Sequence, residues 1–265
     1  MRGLTIFLVF SLPNAIWGQS IANLQSNRFV HFAHQFLQTD GHSYVAGSDL
    51  DEFIEKLDTR KEAYKKEVDF LRYLFSKTHN RFLKEYDDYS TFSELIYEGH
   101  YNCLTGTALY ALLLERFDFY YTIVETNYHI FLLVQTGEQQ VLFEATDPIH
   151  GFVSSEREIN NRIAQYQNNS SMDDSRRGYH KFSFNLYNNV SLDQMAGLLY
   201  YNMSVDAYNQ KEILESIRLL DKATTCYRSP RIEEFSSIIL MTLMESDLEI
   251  DAKKAYVRKV QALML

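Results

Sequence analysis

The chain has 265 residues, a formal net charge of −9, and 46% hydrophobic residues, with 14% aromatic. That is apolar enough for a sizeable core and excludes a disordered chain, while ten glycines and three prolines leave little for long linkers or a many-turned all-β sandwich. Positive charge gathers in short pairs such as Arg60-Lys61, Lys65-Lys66 and Arg176-Arg177, with no denser block; phosphate backbones are bound by denser cationic surfaces, so nucleic acid is not an expected partner.

Residues 1–18 read as a secretory signal. Arg2 gives the positive start, Leu4 to Leu12 the apolar stretch, and Ile16-Trp17-Gly18 the exit before Gln19. An apolar run this short does not cross a bilayer, which takes roughly 20 residues of helix; a buried first strand or helix is the alternative. No later segment has the length of a span. The expected location is outside the cytoplasm, periplasmic or secreted, after cleavage near Gly18. Sequons stand at Asn168, Asn169, Asn189 and Asn202 and matter only in a host that glycosylates.

An N-terminal helical region is expected over residues 19–84. Ile21, Leu24, Phe29, Phe32, Phe36 and Leu37 fall near helical spacing before Asp40-Gly41 ends the pattern. Residues 49–84 then form one long helix or two with a break, and Ser90 and Ser93 are candidate caps of a short helix. His31 and His34 lie i,i+3 on the first helix without a third ligand nearby, and read as ordinary surface side chains.

The central stretch, residues 85–188, carries the chemistry. Asn102 is a favoured N-cap residue, which places Cys103 in the first turn of a helix that is apolar on nearly every side. Three strands are expected next, over Tyr121–Glu125, His129–Gln135 and Gln139–Ala145, with a turn at Thr136-Gly137-Glu138. That turn puts His129 opposite Thr146 or Asp147, where directly opposed side chains share a face; a slip of one residue would separate them. Cys103 and Cys226 are the only cysteines, and a bridge between them would consume the thiol, so both are read as free.

Residues 189–265 return to a helical pattern. Ala207, Tyr208, Ile213, Ile217, Leu220 and Ala223 recur as in one helical hairpin of tetratricopeptide type, with Ser204 and Ser216 where small residues are usual. Ile232–Met244 and Ala252–Leu263 would cover its apolar face. The fold class is α+β, with a helix bearing Cys103 packed on an antiparallel sheet between N-terminal helices and C-terminal helical hairpins.

A thiol at the first turn of a helix sits at the positive end of the helix dipole, near unpaired N–H groups. An imidazole that takes its proton and a carboxylate that orients the imidazole complete a nucleophilic triad. The stretches Tyr101-Asn102-Cys103, Glu125 through His129, and Glu144-Ala145-Thr146-Asp147-Pro148 resemble the transglutaminase-like superfamily over roughly residues 85–155. The resemblance implies a papain-like core with Cys103 as nucleophile, His129 as base and Asp147 as the orienting acid. It resembles, more narrowly, exported bacterial members with a helical tail. The Trp that often flanks the nucleophile in animal transglutaminases is absent, and no EF-hand type calcium loop is present.

The function expected on these grounds is acyl transfer or hydrolysis at a peptide or amide bond. It uses no cofactor and no metal, and acts on a protein or peptide substrate. His100 and His150 flank the site in sequence, and Tyr101 and Tyr128 are candidate cleft walls. Two alternatives stand beside it. One is a catalytically silent, exported binding module whose C-terminal helices recruit a protein partner. The other is an enzyme blocked by its N-terminal helices and activated by trimming residues 19 to about 48.

Overall fold

In the computed structural model, residues 27–168 and 184–264 are described; the expected export signal at 1–18 and the sequon at Asn169 lie outside them. The helix α1 occupies residues 27–37. Phe29, Phe32, Ala33, Phe36 and Leu37, one helical stripe, are all buried. A 3-10 turn at Gln38–Asp40 ends where Gly41 takes φ 90°, a left-handed conformation that glycine enters without steric cost.

The apolar stretch from 49 to 84 is two helices, α2 (Asp49–Lys61) and α3 (Glu67–Phe82). The charged run between them interrupts the apolar stripe, and Lys66 is extended at the second start. The short helix α4 (Phe92–Tyr97) is capped by Thr91 rather than by Ser90 or Ser93: the Thr91 hydroxyl accepts from the Glu94 N–H, and the Glu94 carboxylate accepts from the Thr91 N–H. This reciprocal pair is a capping box. Strands β1 (Glu85–Tyr86) and β2 (His100–Tyr101) pair in parallel just ahead of the cysteine.

The helix α5 (Cys103–Arg116) is the centre of the molecule, buried at every residue from Leu104 to Leu114. It lies on an antiparallel sheet of β3 (Tyr120–Thr126), β4 (Ile130–Gln135), β5 (Gln140–Phe143), β6 (Phe152–Val153) and β7 (Tyr187–Val190), in the order β6-β5-β4-β3-β7. Strand alternation divides the side chains. Ile123, Ile130, Leu132, Val134, Val141 and Phe143 join the core with α5, whereas Val124, Phe131, Leu142 and Val153 face the other way. That second face is closed by α6 (Glu156–Asn168) through Ile159, Ile163 and Tyr166. The sheet is thus a middle layer with a helix on each side.

The C-terminal region comprises α7 (Leu192–Asn209), α8 (Ile213–Cys226), α9 (Pro230–Glu245) and α10 (Ile250–Leu263). Ser204 and Ser216, both buried, meet where α7 crosses α8, the Ser204 hydroxyl donating to the Ser216 carbonyl at 2.7 Å. Small side chains with an internal partner let the two backbones approach. Leu192, Met195, Ala196, Leu198 and Leu199 of α7 belong to the same core as α5 and the N-terminal helices, so the C-terminal helices are joined to the sheet by packing. The architecture is α+β, and among the described residues no helix is long and apolar enough to cross a membrane. Cys103 and Cys226 are both free thiols.

The burial of α1 bears on activation by trimming. Removing residues 19–48 takes Phe29, Phe32, Phe36 and Leu37 out of the core. At about 1.5–3 kcal/mol for each buried side chain, the loss rivals the whole stability of an ordinary domain, about 5–15 kcal/mol. The trimmed chain is therefore expected to lose its cooperative thermal transition; a trimmed protein that melts like the full chain would contradict this assignment.

Candidate active site

The site forms where the start of α5 meets the turn between β3 and β4. Asn102 fixes the helix start: its side-chain oxygen accepts from the Leu104 and Thr105 N–H groups, and its amide donates to the carbonyls of Asp88 and Ser90. The cap leaves the Cys103 N–H outside the intrahelical ladder, as the first helical position must. Thr107, one turn on, donates to the Ile130 carbonyl at 3.2 Å. The other side of that residue, the Ile130 N–H, faces the Cys103 sulfur together with the Leu104 N–H. Helix start and strand start are therefore clamped through both peptide groups of one residue.

Cys103 is half-buried. Burial pushes its thiol up to about 12, the Glu144 carboxylate adds to the push, and Arg231 with the two N–H groups opposes it. The resting group is a neutral thiol.

His129 precedes β4 and lines the same cavity as Cys103. The structure does not bring Asp147 to it. The carboxylate beside His129 is Glu144, whose Oε2 lies 3.9 Å from Nδ1. The register explains the difference. Leu132 pairs with Phe143, so Glu144 falls opposite Phe131, and His129, two residues from Phe131, shares its face as a diagonal neighbour. Asp147 is engaged elsewhere: it closes the turn after β5 by accepting from the His150 N–H at 2.7 Å and the Ile149 N–H at 3.3 Å, and it pairs with Arg162 at 3.3 Å. Although partial burial acts to raise it, these N–H groups and Arg162 hold the Asp147 carboxyl below its ordinary value.

Glu144 is 3% exposed and is held by the Thr146 N–H, the Thr146 hydroxyl and the Tyr166 hydroxyl. The Tyr166 ring also lies 4.8 Å from the His129 ring, centre to centre. The His129 main-chain N–H donates to the Thr126 hydroxyl at 3.0 Å, but among the described residues neither ring nitrogen is hydrogen-bonded; Nδ1 is buried without a partner, and no hydrogen bond joins the ring to Cys103. The structure thus places Cys103 and His129 at one cavity, exchanges Asp147 for Glu144 as the nearby acid, and leaves the thiol and imidazole uncoupled.

The cavity has a volume of about 520 Å³. One wall is the α5 start and the β3–β4 turn; the other is α7 and α9, through Tyr201, Val205, Tyr208, Phe235 and Ile238. Tyr128 lines it, whereas Tyr101, His100 and His150 do not. None of residues 27–48 lines it either. Among the described residues, no group of three His, Cys, Asp or Glu side chains is placed to hold a metal ion.

No protein-family model matches the chain, and neither the curated proteins nor the solved structures contain a match to it.

Four site residues escaped the sequence reading. Glu144 was within the quoted motif, and strand alternation from Phe131 would have chosen it over Asp147. Tyr166 belongs to an amphipathic pattern, Ile159, Ile163 and Tyr166, that marks α6. Glu125 is an acid in an otherwise apolar strand, a signal for a buried partner. That partner, Arg231, carries no local signal.

Gly151 sets the turn that separates the two acids. A Cβ there would overlap the carbonyl oxygens of Glu144 and Asp147 and come 2.9 Å from Phe75 Cζ. Gly151→Ala is expected to cost about 1–3 kcal/mol, the usual range for overpacking, read as a lower urea midpoint with an unchanged slope. An unchanged midpoint would show that the turn adapts.

The Asp147 shift gives a pH dependence. A carboxyl lowered in the folded state contributes stability that is present above its unfolded value and is lost as pH falls through the folded one. The melting temperature of Asp147→Asn is therefore expected to fall less steeply than wild type as pH drops below about 4. Parallel acid limbs would remove the assignment.

Proposed function

We propose that the chain is a thiol-dependent acyltransferase or hydrolase acting at peptide or amide bonds, with Cys103 as nucleophile, His129 as base and Glu144, rather than Asp147, as the acid that orients His129. The observation that carries this reading is a helix-start thiol and an imidazole at one cavity, with a buried carboxylate 3.9 Å behind the imidazole. The arrangement also supports the transglutaminase-like resemblance: a cysteine-bearing helix packed against an antiparallel sheet, with the histidine at a strand start.

The chemistry follows from the neutral thiol. The step requires the His129 ring, which no hydrogen bond anchors, to turn so that Nε2 reaches the sulfur. As Cys103 Sγ bonds to the substrate carbonyl carbon, its proton passes to Nε2, and the Cys103 N–H receives the developing oxyanion. Collapse breaks the bond to the leaving amine, which takes that proton and leaves a thioester on Cys103. Water or an amine then attacks the thioester, restoring the thiol and giving hydrolysis or transfer. Glu144 steadies the imidazolium formed between these steps.

The test uses p-nitrophenyl acetate with the full chain. Acetylation is expected on Cys103, located by mass spectrometry, absent in Cys103→Ala and about a hundredfold slower in His129→Ala, the low end for general-base catalysis. Glu144→Gln should slow it more than Asp147→Asn. Acetyl found elsewhere, or indifference to His129, sinks the reading. The thiol held at about 12 and the missing Cys103–His129 hydrogen bond favour a second reading, a catalytically silent protein that uses the cavity for binding. That reading expects no acetyl on Cys103 under any of these conditions.

A further inference from the structure

The strongest polar cluster outside the thiol and its partners lies between the β3–β4 turn and α9. Glu125, near the end of β3, is 2% exposed. Its carboxylate accepts from the Tyr227 hydroxyl at 2.6 Å and from Arg231 Nε at 3.0 Å. The other end of the guanidinium donates to the turn itself, to the Thr126 carbonyl at 2.8 Å and the Asn127 carbonyl at 3.1 Å. Its Cζ also lies 5.6 Å from the Tyr201 ring centre. One side chain from the C-terminal helices thus holds the acid and two successive carbonyls of the segment leading to His129 and Ile130.

A planar fork suits this task. Arginine presents several N–H donors in fixed directions, while a lysine ammonium reaches the same acceptors as a point charge. The segment it holds is short: Thr126 and Asn127 are followed by Tyr128, His129 and then Ile130, whose N–H faces the Cys103 sulfur.

We infer that Arg231 is a positioning residue of the Cys103 site, holding the β3–β4 turn where it brings the Ile130 N–H to the sulfur. The C-terminal helices are on this account a structural half of the site. The inference rests on the proposed function only in treating Cys103 as the reacting group. The charged and titratable groups around that sulfur are Glu144 at the end of β5, Glu125 and His129 on the hairpin, and Arg231 from α9. Arg231 is the cation among those acting on the thiol, so its loss works in the same direction as a displaced N–H.

The test is alkylation of the full chain by iodoacetamide across pH, with Cys226 as internal reference, in Arg231→Lys and in Glu125→Gln/Arg231→Gln. The lysine variant keeps the ion pair and hence the fold; the double variant removes both charges together. Cys103 alkylation in the double variant is expected to fall about tenfold at a fixed pH below its plateau, the equivalent of one pK unit. The lysine variant should fall between it and wild type. Hydrogen exchange in Arg231→Lys should rise in residues 126–130 and stay unchanged in α5.

Wild-type Cys103 rates in both variants would overturn the inference, as would an equal change at Cys226 or exchange spread over the whole chain. The proposed function fails separately. If His129→Ala leaves acetylation unchanged while the Arg231 variants still slow alkylation, the acyl-transfer reading falls and the positioning role stands.

Discussion

Alkylation of Cys103 at pH 8 is expected to run about a thousandfold slower than that of an ordinary thiol, because only about one part in ten thousand is thiolate when the group titrates near 12. The cause is the site's composition: burial and the Glu144 charge both penalise the anion, and Arg231 with two N–H groups offsets them only in part. The signs of two variants then separate charge from catalysis. Glu144→Gln removes a negative neighbour and should speed alkylation by iodoacetamide, while it slows acetyl transfer by p-nitrophenyl acetate if Glu144 orients the base. A wild-type Cys103 rate that levels off at or below neutral pH would show a preformed thiolate–imidazolium pair and contradict the neutral resting thiol.

The second large effect is on stability. Arg231→Met leaves the Glu125 carboxylate buried beside a single hydroxyl donor, and breaking a buried pair from one side typically costs about 3–5 kcal/mol. For a chain of this size that is a fall of about 6–20 °C in the melting temperature, at about 2–4 °C per kcal/mol. Glu125→Gln/Arg231→Gln should recover most of the loss, since the same desolvation that makes a lone charge costly makes a buried pair only marginally stabilising. Equal melting temperatures for the single and double variants would mean that Glu125 finds water or another donor when Arg231 is gone.

Local chemistry made much of this molecule readable from sequence. Asn102 announced the start of α5 because its short side chain can accept from the N–H groups ahead of it, and the apolar run behind it had to be an inner helix. The three central strands followed from β-rich, apolar composition and a glycine-bearing turn, to within two residues at each end. That Glu144 rather than Asp147 lies beside His129 has a nearby reason: Asp147 sits beyond the last paired residue of β5, where the chain leaves the ladder and the pairing rule no longer applies. Its side chain caps the turn, as aspartate commonly does when a backbone N–H lies two or three residues ahead. The edge strand β7 was hidden because three of its four residues, Tyr187, Asn188 and Asn189, are exposed, leaving no alternation to detect. Arg231 was hidden more deeply. Its role comes from a partner in another part of the chain, and no window along the sequence contains both.

That separation has a consequence for synthesis. Glu125 and Arg231 stand 106 positions apart, and domains form from the N-terminus as the chain leaves the ribosome. The hairpin bearing Glu125 emerges well before α9, so for that interval its acid and its turn carbonyls face water. The cavity closes only once α9 has emerged, and a chain stalled before Pro230 would carry the thiol without its enclosure.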